Sequence, residues 1–474
     1  MSIDAVTALN RFGLGARPGD LARVAADPRG ALKAELQSDR ALVPSDDQNG
    51  LAGTAANIQA SFAADEARKR QREAQAVSRP ILLPSAMTAG GGMAEKPDPQ
   101  PELRIYRAEA LARFGMARDA EIGFLERLVA FWSNHFCVSA TKAQLLRASA
   151  GSFEREAIRP FVLGRFADML QAVERHPAML FFLDNVRSTG PASRAGGKGK
   201  RGLNENLARE IMELHTLGVG SGYTQADVTS LARVITGWTF AGREGRIGEP
   251  GAFTFNAAMH EPGDQMVVGH AYLGGGFGQG EAALNDLAHH PATAHHLATK
   301  LVRHFVADDP PAGAVDRIAA VFRQRDGDLR AVASALVDLP EAWSSPPAKM
   351  RSPQDLLFAT ARMTGAKPAD PAPFLGALRT LGQPLWEPPG PNGYPDTTAD
   401  WASPEAMKLR LDLAAQVAHG FKGLGIDGAP DPLALLDVAA GDALSPETRD
   451  AVTRAESRQQ GLALALMSPE IQRR

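Results

Sequence analysis

The chain has 474 residues, 44% hydrophobic and 22% charged, which describes a folded protein with a sizeable core rather than a disordered one. Its 51 basic and 54 acidic side chains nearly cancel to −3, so no broad nucleic-acid-binding surface is expected, and the lone Cys137 excludes a disulfide framework or a multi-thiolate metal site. No run of 18 apolar residues predicts a membrane-spanning helix, and Met1–Val6 has neither the basic start nor the apolar core of a signal peptide, so a cytoplasmic location is expected, with neither membrane nor nucleic acid as partner.

In chain order, residues 1–76 form a possible N-terminal subregion whose charge run Asp65–Glu73 reads as a solvated helix face. Residues 77–101, with five prolines and Gly90-Gly91-Gly92, read as a mobile linker to a main helical body over 102–474. From Glu121 to Val138, Leu125, Leu128, Val129, Trp132 and Phe136 recur at helical spacing. Residues 186–203 form a basic loop holding Arg187, Arg194, Lys198, Lys200 and Arg201. Thr224 and Asp227 form a capping box, and Val228, Leu231, Ala232, Ile235 and Trp238 continue the helix that it starts. The Gly-rich residues 241–283 predict a small hairpin near 250–272. Pro291 suits the first turn of a helix through Leu297 and Phe305, and Ser352-Pro353 opens another through Thr364. Residues 383–401 are too rich in proline for helix or central strand. The expected fold is mainly α: a large multi-helix array with a minor β-hairpin and long Gly/Pro-rich loops.

Phosphate-loop, dinucleotide, zincin and G-x-S-x-G hydrolase motifs all fail on inspection. What remains is Asn204–His215. On a straight helix Asn206, Glu210 and Glu213 share one row beside the apolar stripe of Leu207, Ile211 and Leu214. Carboxylates that close raise one another's pKa unless a cation lies between them, and Arg209 is placed to be that cation. The plainer alternative is an ion-pair network, Glu205–Arg209–Glu213, at i,i+4 spacing. In Trp132–Phe136, His135 projects among apolar residues and needs a partner for each ring nitrogen; Glu210 or Glu213 is the expected one. His289, His290, His295 and His296 resemble a metal cluster but do not share a helical face, and His215 is expected only to favour its own helix C-terminus.

The stretches Ala8–Gly15, Trp132–Phe136 (WSNHF), Asn204–Gly218, Tyr223–Trp238, Lys300–Pro311 (KLVRHFVADDPP), Lys349–Pro353 and Gly382–Trp401 together resemble a large bacterial family, domain-of-unknown-function family 1800. The resemblance runs almost end to end and implies one family-wide unit over residues 1–474. It brings no established activity, cofactor or catalytic residue. It implies relatives that are exported and encoded beside a protein of domain-of-unknown-function family 1501, itself sulfatase- or phosphatase-like, which makes such a protein the expected partner. Two functions remain open. One is a metal-dependent enzyme, a hydrolase before a redox enzyme, with Glu210, Glu213 and His135 as ligands or acid–base groups, Asn206 and Arg209 on the substrate, and zinc, manganese or iron as the metal. The other is a non-catalytic helical scaffold that binds a partner protein.

Overall fold

The computed structural model describes residues 3–38, 41–43, 45–77, 100–198, 202–344, 347–426 and 430–474. The expected linker falls almost wholly outside the described residues, as do Lys200 and Arg201 of the basic loop. The protein is mainly α. Its principal helices include α1 (Thr54–Val77), α2 (Pro101–Asp119), α3 (Phe124–His135), α4 (Gln144–Phe153), α5 (Phe166–Arg175), α6 (Asn206–Glu210), α7 (Gln225–Val234), α8 (Phe277–His289), α9 (Pro291–Phe305) and α10 (Pro353–Thr364). Among the described residues, no helix is long and apolar enough to cross a membrane.

Local chemistry sets the helix ends. The Thr224 hydroxyl accepts from the Asp227 N–H while the Asp227 carboxylate accepts from the Thr224 N–H, satisfying two donors at the start of α7. The Ser352 hydroxyl accepts from the Asp355 N–H before α10, with Pro353 in its first turn. Helix α9 begins at Pro291, and the preceding His290 ring accepts from the Ala292 N–H. In the charge run on α1, Arg70 pairs with Glu66, and both side chains are exposed.

The minor β-hairpin expected near 250–272 is present at Gln265–Tyr272, and the described residues add a second two-stranded antiparallel sheet. β1 (Trp238–Phe240) pairs with β2 (Phe253–Phe255), and β3 (Gln265–Val267) pairs with β4 (His270–Tyr272). Trp238 therefore opens a strand rather than extending α7. Gly237, at φ 83°, turns the chain there, and a Cβ on it would lie 2.6 Å from the Asn256 carbonyl oxygen.

Buried apolar side chains from Ala5 to Ile471 join one hydrophobic cluster. Phe12, Phe124 and Phe305 meet within it at ring separations of 5.4–6.0 Å. The helical run is widened into π turns at Ala8–Phe12, Glu154–Ile158 and Ile211–His215. Each carries polar side chains into the interior, as π turns often do near functional sites. At the second, Glu154 is buried between Arg113 and Arg159, Arg159 grips Glu126 through both terminal nitrogens at 2.8 and 2.9 Å, and Arg155 grips Glu109.

Candidate active site

Helix α3 ends where Phe136 leaves helical geometry, its N–H still bonded to the Trp132 carbonyl. Its last residues form one wall of a cavity of about 450 Å³. Helix α9 forms another: Leu297, Leu301, Val302 and Phe305 face the core, which leaves Lys300, Arg303 and His304 on the flank that lines the cavity. The proline-rich segment 383–401 closes the third side; it runs without helix or strand as far as Thr397 and ends in one helical turn, Thr398–Trp401.

That segment is held by polar contacts with the α3 end. The Asn134 amide is bonded twice to Tyr394, donating to its carbonyl at 2.9 Å and accepting from its N–H at 2.8 Å. Tyr394 OH donates to the Pro384 carbonyl, and Ser139 Oγ to that of Pro388. Gly393, at φ 76°, approaches so closely that a Cβ would lie 2.5 Å from the Asn134 carbonyl oxygen. The Cys137 thiol donates to the Gly390 and Pro391 carbonyls at 3.4 and 3.3 Å, and burial pushes it up to about 12, so it is an inert wall group rather than a nucleophile.

His135 is buried, and its two ring nitrogens define its state. Nε2 lies 3.2 Å from the His215 carbonyl, which only a donor satisfies, so Nδ1 is left as the acceptor for the Lys300 ammonium at 2.8 Å. Burial first, then the neighbouring Lys300 charge, pushes the imidazole well below its usual range, in keeping with a neutral ring. Lys300 is itself lowered to about 8, by burial above all, with Arg303 acting in the same direction.

A second histidine pair stands four residues along α9. His304 Nδ1 lies 2.7 Å from Asp396 Oδ2. A carboxylate only accepts, so Nδ1 carries the hydrogen and Nε2 the lone pair. That Nε2 is buried and has no hydrogen-bond partner among the described residues. Burial lowers His304 to about 4, while His304, Arg474 and Lys349 outweigh the burial of Asp396 and hold its carboxyl far below the usual carboxylate range.

None of the residues Asn204–His215 lines this cavity, although the His215 carbonyl supports His135 from behind. Glu210 and Asn206 border a separate groove with Lys142, Asp184 and Pro388–Pro391. Burial raises the Glu210 carboxyl, and the Glu213 charge adds to that. Arg209 bonds Glu213 at 3.3 Å and Glu205 at 3.4 Å, which is the ion-pair network that was the plainer alternative. Glu210 and Glu213 do not supply the partners of His135, which are Lys300 and the His215 carbonyl. Nor do the three form a donor set: among the described residues, no three His, Cys, Asp or Glu side chains are grouped so as to hold a metal ion. The reason is the π turn at Ile211–His215, which breaks the straight-helix row on which that grouping rests. It turns His215 inward to a buried Glu174 carboxylate at 2.8 Å. The carbonyls of Leu214 and His215, left open at the helix end, take His296 and His135 instead. Of the four clustered histidines, His289 meets Asp326 and His290 caps α9, so each is structurally occupied.

The family model described as "Protein of unknown function (DUF1800)" matches residues 7–473. The chain belongs to this family. No curated protein and no solved structure matches it. In this DUF1800 protein the resembling stretches WSNHF, KLVRHF and Gly382–Trp401 are brought together around one cavity. Sequence reasoning missed Lys300, His304 and Asp396 there. Their signal was Lys300, Arg303 and His304 at i, i+3 and i+4 beside an apolar stripe, a basic face that amphipathicity alone does not require.

Proposed function

We propose that this protein is an enzyme whose active site is the cavity between α3, α9 and the proline-rich segment, and that its reaction is a hydrolysis driven by acid–base chemistry. One observation carries the reading: His304 donates to Asp396 over 2.7 Å while its buried Nε2 has no partner among the described residues. An imidazole oriented by a carboxylate, with a lone pair to spare, is a general base. A water molecule entering the cavity gives a proton to Nε2 as its oxygen bonds to the electrophilic carbon or phosphorus of an ester or phosphoester. The bond to the leaving oxygen breaks, and that oxygen takes a proton from the Lys300 ammonium. His304 returns its proton to solvent, and Lys300 regains one. His135 accepts from Lys300 and so fixes the direction of that ammonium. Glu210, Glu213, Asn206 and Arg209 take no step in this reaction.

The test is turnover of p-nitrophenyl acetate and p-nitrophenyl phosphate by the full chain. The base must be neutral, with His304 at about 4, and the acid protonated, with Lys300 at about 8, so the rate should be bell-shaped with limbs near those values. His304→Gln should lower the rate roughly 10²–10⁴-fold with its melting temperature kept. A scaffold that only binds a partner would turn over neither compound. That outcome, or a His304→Gln rate equal to wild type, overturns the proposal.

A further inference from the structure

We infer that the substrate carries an anionic oxygen group, a carboxylate or a phosphate, which Arg303 grips in the cavity beside Lys300 and His304. This rests on the active site proposed above and adds the class of compound that enters it. The argument is one of pairing. Four aspartates line the cavity, and each is committed. Asp355 meets Arg127 at 2.9 Å and Arg474 at 3.1 Å. Asp396 meets His304 and Arg474. Asp308 meets Lys349 and the Thr398 N–H, and Asp400 completes a capping box with Thr397. On the cationic side, Arg113 is answered by Glu154, and Arg474 by the two aspartates just named.

Two lining cations are left over: among the described residues, neither Lys300 nor Arg303 has a carboxylate partner. Lys300 has the neutral His135 ring. Arg303 has one backbone contact, Nε donating to the Asp308 carbonyl at 3.3 Å, which fixes one edge of the guanidinium and leaves the terminal nitrogens to a ligand. The planar fork of an arginine matches the two oxygens of a carboxylate or phosphate, which bulk water matches less well inside a cavity. Lys300 and Arg303 are three residues apart on α9, so their stems rise about 5–6 Å from one another. A compound gripped by Arg303 thus needs only a few bonds between its anionic group and the bond that is cut, and a cavity of about 450 Å³ admits a molecule of that size.

The test is calorimetric titration of the full chain with inorganic phosphate and, separately, with acetate, at low ionic strength. At least one should bind one-to-one, and which one does separates a phosphate-bearing substrate from a carboxylate. Arg303→Gln should weaken that binding tenfold or more, while Lys408→Gln on an exposed helix face leaves it unchanged. In turnover, Arg303→Gln should raise KM and keep kcat within a few-fold, which a merely structural arginine would not do. Binding of neither anion, or equal binding by Arg303→Gln, overturns the inference even if His304→Gln abolishes turnover, in which case the active-site proposal survives alone. Arg303-dependent binding with no turnover of either ester supports the anion site and sinks the hydrolysis.

Discussion

Two ionic regions adjoin at Arg113 and Trp386, and they are built on opposite rules. In the interior, Glu154 is shared by Arg113 and Arg159, accepts from Ser133 Oγ at 2.9 Å and from Trp386 Nε1 at 3.1 Å, and leaves no charge unanswered. Across the cavity, among the described residues, Lys300 and Arg303 pair with no carboxylate, Asp396 acting on Lys300 only from a longer distance, and the His304 Nε2 has no hydrogen-bond partner. Burial of charge is common to both regions and so marks neither. What separates them is completeness. A saturated network fixes helix packing, whereas an incomplete one keeps binding capacity for something outside the chain.

The comparison breaks first at Glu154. Burial alone would raise its carboxyl, but Arg113 and Arg159 outweigh that and hold it below the usual range. Glu154→Ala strands Arg113 in the interior and takes from Arg159 one of its two carboxylates, so a loss of about 3–5 kcal/mol is expected in urea unfolding. A loss under about 1 kcal/mol would show that the network does not carry the packing assigned to it.

Lys300 should respond with the opposite sign. Its folded value of about 8 lies below the ordinary lysine value of 10.5. Between those pH values the unfolded chain holds a proton that the folded chain has released, so stability rises with pH across the window and is lowest, from this group, below pH 8. The groups around it are His135, Cys137, Asp396 and Arg303, and the Cys137 thiol, at about 12, stays neutral throughout. At about 1.4 kcal/mol per unit, wild type should gain roughly 2–3 kcal/mol from pH 8 to 10.5 relative to Lys300→Met. A flat difference between the two curves would mean that the ammonium is well solvated and the cavity wall is ordinary surface.

Glu174 tests an intermediate case. Its Oε1 accepts from His215 at 2.8 Å, but its buried Oε2 has no partner among the described residues. Glu174→Gln weakens one charge-assisted bond without stranding a charge, so about 1–2 kcal/mol should be lost. Because the His215 carbonyl also holds His135, the same variant should disturb Lys300 and shift the alkaline limb of the rate profile. A stability loss with that limb unmoved would separate this pair from the site.

Much of the fold was legible because periodicity and caps are local. The Thr224 capping box, Pro291 in the first turn of α9 and Ser352 before α10 each act within four residues, and each stands where the sequence places it. The pairing of β1 with β2 was not legible, because twelve residues separate Phe240 from Phe253 and the register is set by Gly237 and the packing around Trp238. His135 was legible as a buried ring in need of two partners, but their identity was not. The straight-helix row pointed to Glu210 and Glu213, and the π turn that spoils the row has no simple signature in single residues. Lys300, His304 and Asp396 come from segments about a hundred residues apart, and only the folded chain places Asp396 against His304.

The smallest effect is expected at Arg209, the cation once placed between the two carboxylates. It bonds Glu205, Glu213 and Gln225 on a partly exposed helix face, with over a third of its side chain open to solvent. Ion pairs in that setting lose to hydration and side-chain entropy most of what they gain by attraction. Arg209→Ala should therefore cost less than about 1 kcal/mol, and the cost should shrink further in 1 M salt, where exposed charges are screened within about 3 Å. It should leave both the rate profile and phosphate or acetate binding as they are. If Arg209→Ala instead abolished turnover while His304→Gln spared it, the Asn204–His215 helix would be the functional one after all. The unanswered charges around the cavity would then be the structural accident, and the distinction between complete and incomplete networks would fail for this protein.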